Sequence, residues 1–463
     1  PYIYAEAADL GLPRWFSDHY PQAHPQKYED GAYVNYGFTR YASHQAPSFL
    51  CCVSRWLRAV RAEIEPYLAP RGNIWMIQLC NEIPGDDHQD ENPLTLGIGS
   101  PDGLLPSYLR KQYGTQAALE TAYGTALPPM EQVEPHHLRA ANAKLCELEK
   151  RKFYYTWYYP LYFQKLKRWL QPLPPEITLF HNAYNPKAFS LHYDNQKLNP
   201  WLNIGVDCYY SIFGSLSLKE GVYFCEYGAA YSNALFRNPP WVVEHESGYW
   251  FDFPQVYGPE LYIWNIYMFA AGYRGINMYM FAAGQNPDGL GFFGTAHNWQ
   301  APVQKDGRPG SNYPYICRSL AEIKAHFEVF SVPNSFDIAL GVPHTPGLIW
   351  TSTANACREA FLALKLAGFT PEIIDYEAMK AAELQTRAAI FVVSSESMPA
   401  AAQAALAEYV AGGGRLICSG CMPYLDEQLR PCTILEDALR VLYAAASFAA
   451  AEQEKITFEG VEY

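Results

Sequence analysis

The sequence predicts an α/β chain, a parallel-stranded (β/α)8 barrel that takes up most of its length followed by a small flavodoxin-like α/β domain. Three observations predict it. Apolar runs of strand length alternate with longer helical stretches; two of those runs stop abruptly at a carboxylate; and near Ser331-Val332-Pro333-Asn334 the aromatic density falls and a second, more regular alternation begins. Strands buried on both faces read as unbroken apolar runs, and barrels of this class place their polar functional groups where such strands end.

Six segments are predicted as parallel strands: Tyr2–Ala5, Ile74–Leu79, Ile177–Phe180, Ile204–Tyr209, Val222–Cys225 and Gly275–Phe281. The stretches from Phe49 to Leu68 and from Ala140 to Leu170 carry apolar residues at helical spacing. The most apolar long window, Leu261 to Gly284, is broken by Asn265, Arg274 and Asn277, so it is predicted as a helix followed by a strand and not as a membrane span. Beyond residue 335, Phe336–Val342 and Ala389–Ser394 are predicted strands and Cys357–Ala367 and Ala400–Val410 predicted helices. Gly412-Gly413-Gly414 then leads into a third strand, Arg415–Cys418. The glycine triplet precedes a strand and lacks a following Lys-Ser/Thr, so it is a turn and not a phosphate loop. Residues from Glu454 to Tyr463 read as the opening of a further β domain. The division expected is 1–335, 336–445 and 446–463.

Composition removes several functions. A formal charge of −13 without a basic stripe argues against nucleic acid. The closest cysteine groupings, Cys51-Cys52 and Cys418-Ser419-Gly420-Cys421, have no companion histidines at zinc spacing, so neither a metal nor a cofactor is expected. Free thiols point to a reducing, cytoplasmic setting. Aromatic residues make up 15% of the chain, with 36 Tyr and 11 Trp, and such rings stack on the apolar faces of sugars as well as filling cores.

The carboxylates give the chemistry. Ile74-Trp75-Met76-Ile77-Gln78-Leu79-Cys80-Asn81-Glu82 and Gly221-Val222-Tyr223-Phe224-Cys225-Glu226 each run from apolar residues into a glutamate. Retaining glycoside hydrolysis needs two carboxyl groups about 5–5.5 Å apart, one protonated and one ionised, and two separate strand ends supply that spacing.

Four segments resemble family 35 β-galactosidases, enzymes of the clan A barrel type. Pro1-Tyr2-Ile3-Tyr4-Ala5-Glu6 with Gly11-Leu12-Pro13 resembles PYICAEW…GGLP, Ile77 to Glu82 resembles the acid/base strand Q-[VI]-E-N-E-Y, and Phe224-Cys225-Glu226-Tyr227 resembles the nucleophile strand S-E-[FY]. Asn277 to Phe281, Gly284 to Pro287, Ala301-Pro302-Val303 and Asp306-Gly307-Arg308 resemble N-[LY]-Y-M-F…GGTN…DAP[IL]-x-E-x-G. Cys80, Cys225 and Ile83-Pro84 depart from that pattern. Ser107 to Thr115 through Ala122-Tyr123-Gly124-Thr125 is similar to the YLRxKYG…LNxAWGT helix-turn of family 42 β-galactosidases, and the segment after residue 335 to their second domain, which there contributes to oligomer contacts.

The resemblance implies a retaining exo-β-glycosidase, with β-galactosidase as the leading reading and exo-β-glucosaminidase or another β-glycosidase as the alternative. An inactive carbohydrate-binding relative is the reading from another class. Glu82 becomes the general acid/base and Glu226 the nucleophile, with Tyr279 as the donor that keeps Glu226 ionised and Asn81 on the sugar 2-hydroxyl. Glu6 and the backbone of Ala5 match residues that hold galactose hydroxyls. His181, at a strand end, is a further donor candidate, and Trp15, Trp264 and Trp299 are candidates for the pocket wall. The expected partner is an oligosaccharide or glycoside, with no nucleic acid, no membrane and a possible homo-oligomer. If Glu226 ends the seventh barrel strand, Glu82 ends the fourth and Pro1 begins the third, which implies that the first two βα units lie outside this sequence and that Tyr2–Ala5 does not pair with Gly275–Phe281.

Overall fold

The computed structural model describes residues 12–26, 32–33, 35–36, 39–40, 42–83, 92–183, 198–209, 218–236, 238–248, 256–284, 300–332, 335–344, 350–440, 457–458 and 461–462. Five parallel strands form the first sheet: β1 (Met76–Gln78), β2 (Thr178–Ala183), β3 (Leu202–Cys208), β4 (Val242–Glu246) and β5 (Ile276–Tyr279). They pair in chain order, each with the one before it. A sheet wound in one direction with helices between its strands is the arc of a (β/α)8 barrel, and all five C-terminal ends lie on one rim. The strand predicted over Tyr2–Ala5, and with it the expectation about its pairing, lies outside the described residues.

Four of the predicted barrel strands coincide with β1, β2, β3 and β5, but Val222–Cys225 does not form a strand. It lies inside an 18-residue helix, α5 below, and the strand in that position of the barrel is β4, which follows Pro239-Pro240. The reason is physical. The helix packs on both sides, against the barrel and against the second domain, so it has no clean polar face to reveal a 3.6-residue period. The β-branched and aromatic residues at its start then read as a strand.

The helices of the barrel domain include α1 (Pro47–Ile64), α2 (Leu104–Tyr113), α3 (Ala143–Phe153), α4 (Tyr159–Leu170), α5 (Leu218–Leu235), α6 (Gly258–Ala271) and α7 (Tyr313–Ala325). The predicted helix over Ala140 to Leu170 is α3 and α4 joined by a π-turn at Tyr154–Tyr158. There the carbonyl of Tyr158 accepts from Gln45 Nε2 at 2.8 Å. Helix α4 buries Tyr159, Tyr162, Phe163, Leu166 and Leu170, an i, i+3, i+4 stripe turned to the core. The helix pair similar to family 42 has α2 closing at Gly114 (φ 75°), and Thr115 capping the following helix, Gln116–Tyr123, by accepting from Ala118 N at 3.2 Å.

The second sheet is β6 (Ile338–Gly341), β7 (Pro371–Ile374), β8 (Ala389–Ser394) and β9 (Arg415–Gly420), all parallel, in the order β9-β8-β6-β7. Here the winding reverses at β6, the mark of a flavodoxin-like layer. Helices α8 (Trp350–Leu366) and α9 (Ala400–Ala411) cross between its strands. The extra strand, β7, opens with a proline, which is tolerated because β7 lies at the sheet edge. One continuous core joins the two sheets, with Phe361 of α8 edge-on to Tyr227 of α5 at 5.5 Å between ring centroids. Among the described residues no helix is long and apolar enough to cross a membrane.

Candidate active site

Three carboxyl groups meet at the C-terminal rim of the first sheet. Glu82 follows β1, Asp207 stands near the end of β3 and Glu244 in β4, and one oxygen of each lies within 4.8 Å of the other two. Asp207 is 2% and Glu244 3% exposed, whereas Glu82 is only half-buried.

The turn that presents Glu82 is held from β2. His181 is fully buried; its Nδ1 lies 2.8 Å from the Cys80 carbonyl, and its Nε2 lies 2.6 Å from the Ile83 carbonyl and 3.0 Å from the Ile83 nitrogen. Both carbonyls are acceptors, and a neutral imidazole, with one ring proton, donates to one of them. Burial lowers this histidine to about 4, which keeps it in that neutral form. Asn182, the next residue, accepts from the Glu82 N–H at 3.0 Å through Oδ1. Between these two anchors Glu82 adopts φ 49°, a left-handed backbone that side chains other than glycine rarely take.

Asn182 also organises the acids. Its Nδ2 is 3.1 Å from Asn81 Oδ1, 2.9 Å from Asp207 Oδ2 and 3.3 Å from Glu244 Oε1, so two hydrogens serve three acceptors. Gln78 Nε2 donates to Asn81 Oδ1 and Asn182 Oδ1, at 3.1 and 3.0 Å. The second oxygen of Glu244 accepts from the Tyr209 hydroxyl, whose ring packs edge-on to Tyr279 at 5.8 Å between centroids.

Burial raises Glu244 to about 7, and the Tyr209 hydrogen bond works against that rise. Asp207 is raised well above the carboxylate range by burial first, then by the charges of Glu244 and Glu82. Two like charges 4.8 Å apart repel by about 3 kcal/mol at an effective dielectric of about 20, so the three groups cannot all be ionised near neutrality. The three oxygens are near enough to embrace a cation, but the N–H and O–H donors of Asn182 and Tyr209 already point at Asp207 and Glu244. The cluster is fitted for sharing protons.

The structure corrects the pairing expected for Glu226. Residue 226 lies on α5 and not at a strand end; its Oε2 pairs with Lys365 Nζ of α8 at 2.8 Å and its Oε1 accepts from the Tyr267 hydroxyl of α6 at 2.8 Å. Glu226 ties the barrel's helical layer to the second domain, and the carboxylate facing Glu82 is Glu244. Tyr279 accordingly has no Glu226 to donate to. It ends β5, where its carbonyl accepts from the N–H and hydroxyl of Ser247 at 3.0 and 2.7 Å, and the donor to the second glutamate is Tyr209. Asn81 stands beside Glu82 as expected, and Trp264 is 5% exposed within α6. Trp15 is 51% exposed. Ala5, Glu6 and Trp299 lie outside the described residues.

Four residues of this constellation were not singled out from sequence: Asn182, Asp207, Tyr209 and Glu244. A signal existed for the last. Trp241-Val242-Val243-Glu244 is a β-branched run after a Pro-Pro break that stops at a carboxylate, the same pattern that identified Glu82.

Comparison with known proteins accords with this geometry. The family model for glycoside hydrolase 42, described as beta-galactosidase, matches residues 3–314, and a model described as GLMA-like, second domain, matches 354–462. The match falls on the family whose helix-turn the sequence showed at 107–125, and the family 35 reading of the motifs is not carried by it. The chain is 24% identical to a beta-1,2-glucosyltransferase of Ignavibacterium album, over 94% of this chain and 65% of that protein. It is 22% identical to an exo-beta-D-glucosaminidase of Pyrococcus horikoshii, over 95% of this chain and 59% of that protein. The chain thus spans less than two thirds of the length of these curated relatives. In fold it is similar to the cold-adapted beta-galactosidase from Rahnella sp. R3, with a TM-score of 0.70 at 16% identity, covering 92% of this chain and 62% of that one. It is also similar to the beta-galactosidase from the psychrophilic Marinomonas ef1, with a TM-score of 0.68 at 15% identity, covering 90% and 65%.

Proposed function

The chain belongs to glycoside hydrolase family 42, and from that premise we propose that it is a retaining exo-β-glycosidase in which Glu82 is the general acid/base and Glu244 the nucleophile. The observation that carries the reading is the approach of a Glu82 oxygen to within 4.8 Å of a Glu244 oxygen at one strand rim. That spacing accords with the roughly 5–5.5 Å of retaining enzymes and is well short of the roughly 6.5–9.5 Å that inverting enzymes keep for a water.

In the first step the half-buried Glu82 protonates the departing glycosidic oxygen while ionised Glu244 attacks the anomeric carbon from the opposite side. In the second, Glu82 as a base takes a proton from water, whose oxygen attacks the anomeric carbon and displaces the Glu244 carboxylate from the glycosyl-enzyme ester, releasing the sugar with its β configuration. The Tyr209 hydroxyl favours the charged form of Glu244. Asn81 has its amide oxygen engaged by Gln78 and Asn182, which turns its Nδ2 donor to the 2-hydroxyl. Tyr279 is kept as a sugar contact, and Ala5 and Glu6 as the residues that hold the terminal sugar. The barrel domain over 1–335 carries these groups and the α/β domain over 336–445 braces it.

For the sugar, β-galactose is the first reading, in line with the description of the family. Exo-β-glucosaminidase is the second, favoured by the relative of that name and by the GLMA-like match at 354–462. Aryl β-galactoside, β-glucosaminide and β-glucoside offered to the intact protein decide between them. The mechanism is tested with Glu244→Gly, which should lose hydrolysis and, supplied with azide, form the α-glycosyl azide. Glu82→Ala should keep activity on substrates with good leaving groups, which need little protonation. Ordinary turnover by the Glu244 variant would remove the assignment.

A further inference from the structure

A two-carboxylate mechanism leaves Asp207 unexplained. This residue presents an oxygen within 4.8 Å of both Glu82 and Glu244, and it is 2% exposed. Its Oδ2 accepts from Asn182 Nδ2 at 2.9 Å, while its buried Oδ1 has no hydrogen-bond partner among the described residues. The groups that act on it are the acids Glu244 and Glu82, the amide of Asn182 and the neighbouring Cys208 thiol, with the Tyr209 hydroxyl nearby, just after β3. None of them is a cation.

We propose that Asp207 is a positioning residue held as a neutral carboxylic acid in the resting enzyme, with its carboxyl O–H a hydrogen-bond donor toward the Glu82–Glu244 pair. The inference rests on the reading of that pair as acid/base and nucleophile. An ionised Asp207 would bury a charge with one oxygen lacking any donor, which costs several kcal/mol. A protonated one carries no charge, and its O–H is a donor on a carboxyl group that has an oxygen within 4.8 Å of both Glu82 and Glu244. It also limits the cluster to a single negative charge, on Glu244, when Glu82 carries its proton for the first step. The raised proton affinity of Asp207, set by burial and then by Glu244 and Glu82, runs in the same direction.

Consider the opposite case. A fixed negative charge at Asp207 would repel each neighbour by about 3 kcal/mol at an effective dielectric of about 20, equivalent to roughly two pH units in their titrations. Replacing it with a neutral residue would then lower the acid limb of the rate profile by that amount. A neutral Asp207 has no such charge to lose.

The test is Asp207→Asn in the intact protein, because an amide keeps the shape, the neutrality and a donor. The expected result is a kcat/KM within about tenfold of the parent, with the acid limb of the pH profile displaced by less than about half a pH unit. An acid limb lowered by about two pH units would overturn the proposal. The infrared difference spectrum of parent minus variant at neutral pH should contain the C=O stretch of a protonated carboxyl group; its absence also overturns it. Should the variant fail to fold, the parent protein carrying 13C-labelled aspartate gives the same infrared reading, with the buried protonated band present or missing. Failure of azide rescue in Glu244→Gly would sink the underlying pair while leaving the infrared result intact, so the two failures are distinguishable.

Discussion

Replacing Tyr209 with Phe deletes one oxygen, the donor to Glu244, and leaves the ring that packs edge-on to Tyr279. A hydrogen bond to a charged group contributes about 1.5–3 kcal/mol, equivalent to roughly one to two pH units in the titration of its acceptor. Glu244 already stands at about 7 because it is buried, and the Tyr209 bond opposes that rise. Without the bond, the acid limb of kcat/KM should therefore move up by about one to two pH units. At pH 7 the ionised fraction of the nucleophile falls from about half to about 1–10%, so kcat/KM should drop by about 5- to 50-fold there and recover as pH rises. The assay is a pH series of kcat/KM on one aryl β-glycoside for both proteins. A loss equal at every pH, or an acid limb that stays in place, would refute the argument, since either would mean that Tyr209 acts through shape and not through the charge on Glu244.

Glu226→Gln should leave kcat unchanged, because residue 226 lies in the helical layer. Thermal unfolding should come slightly earlier, by the loss of a part-exposed ion pair of at most about 1 kcal/mol, and a large loss of turnover would return Glu226 to the chemistry. Acid should weaken the fold through His181, which takes its proton near 6.5 when unfolded but only at about 4 when folded. Between those values the unfolded chain binds more protons, so stability falls with falling pH, by about 3 kcal/mol at the lower end. His245, also buried and also lowered to about 4, adds a similar contribution. Urea midpoints measured from pH 7 down to pH 4 check this, and a flat series would contradict it.

The parts of the fold that were legible were those with one dominant signal. Ile74–Leu79 and Ile204–Tyr209 are apolar runs between breakers, and they are strands β1 and β3 within a few residues; Ala389–Ser394 coincides with β8. Helix α5 was not legible, because a helix covered on two sides loses the polar face on which helical periodicity depends. That one error displaced the second glutamate. It placed the glutamate expected to face Glu82 on a helix, whereas the one that faces it is Glu244 of β4, with Tyr209 and not Tyr279 as its hydroxyl donor. The place of Glu82 at the rim was readable from its own strand, but the part of Asn182 and Asp207 was not, since it depends on side chains from three strand ends, Asn182 lying 100 residues from Glu82 and 25 from Asp207, converging in space. Glu6 and Ala5 stay with the resemblance that suggested them.

The left-handed backbone at Glu82 has an evolutionary consequence. A side chain at φ 49° stores strain of about 1 kcal/mol that glycine or asparagine at the same place would largely relieve. In the proposed role of Glu82 as acid/base, selection for turnover holds residue 82 against a constant pull toward greater stability. A descendant that no longer needed to cleave its ligand would be free to drift there to Gly or Asn and gain a firmer fold. Among homologues aligned at this turn, the identity of the residue that follows Asn81 should separate lineages that still hydrolyse from those retained only to bind.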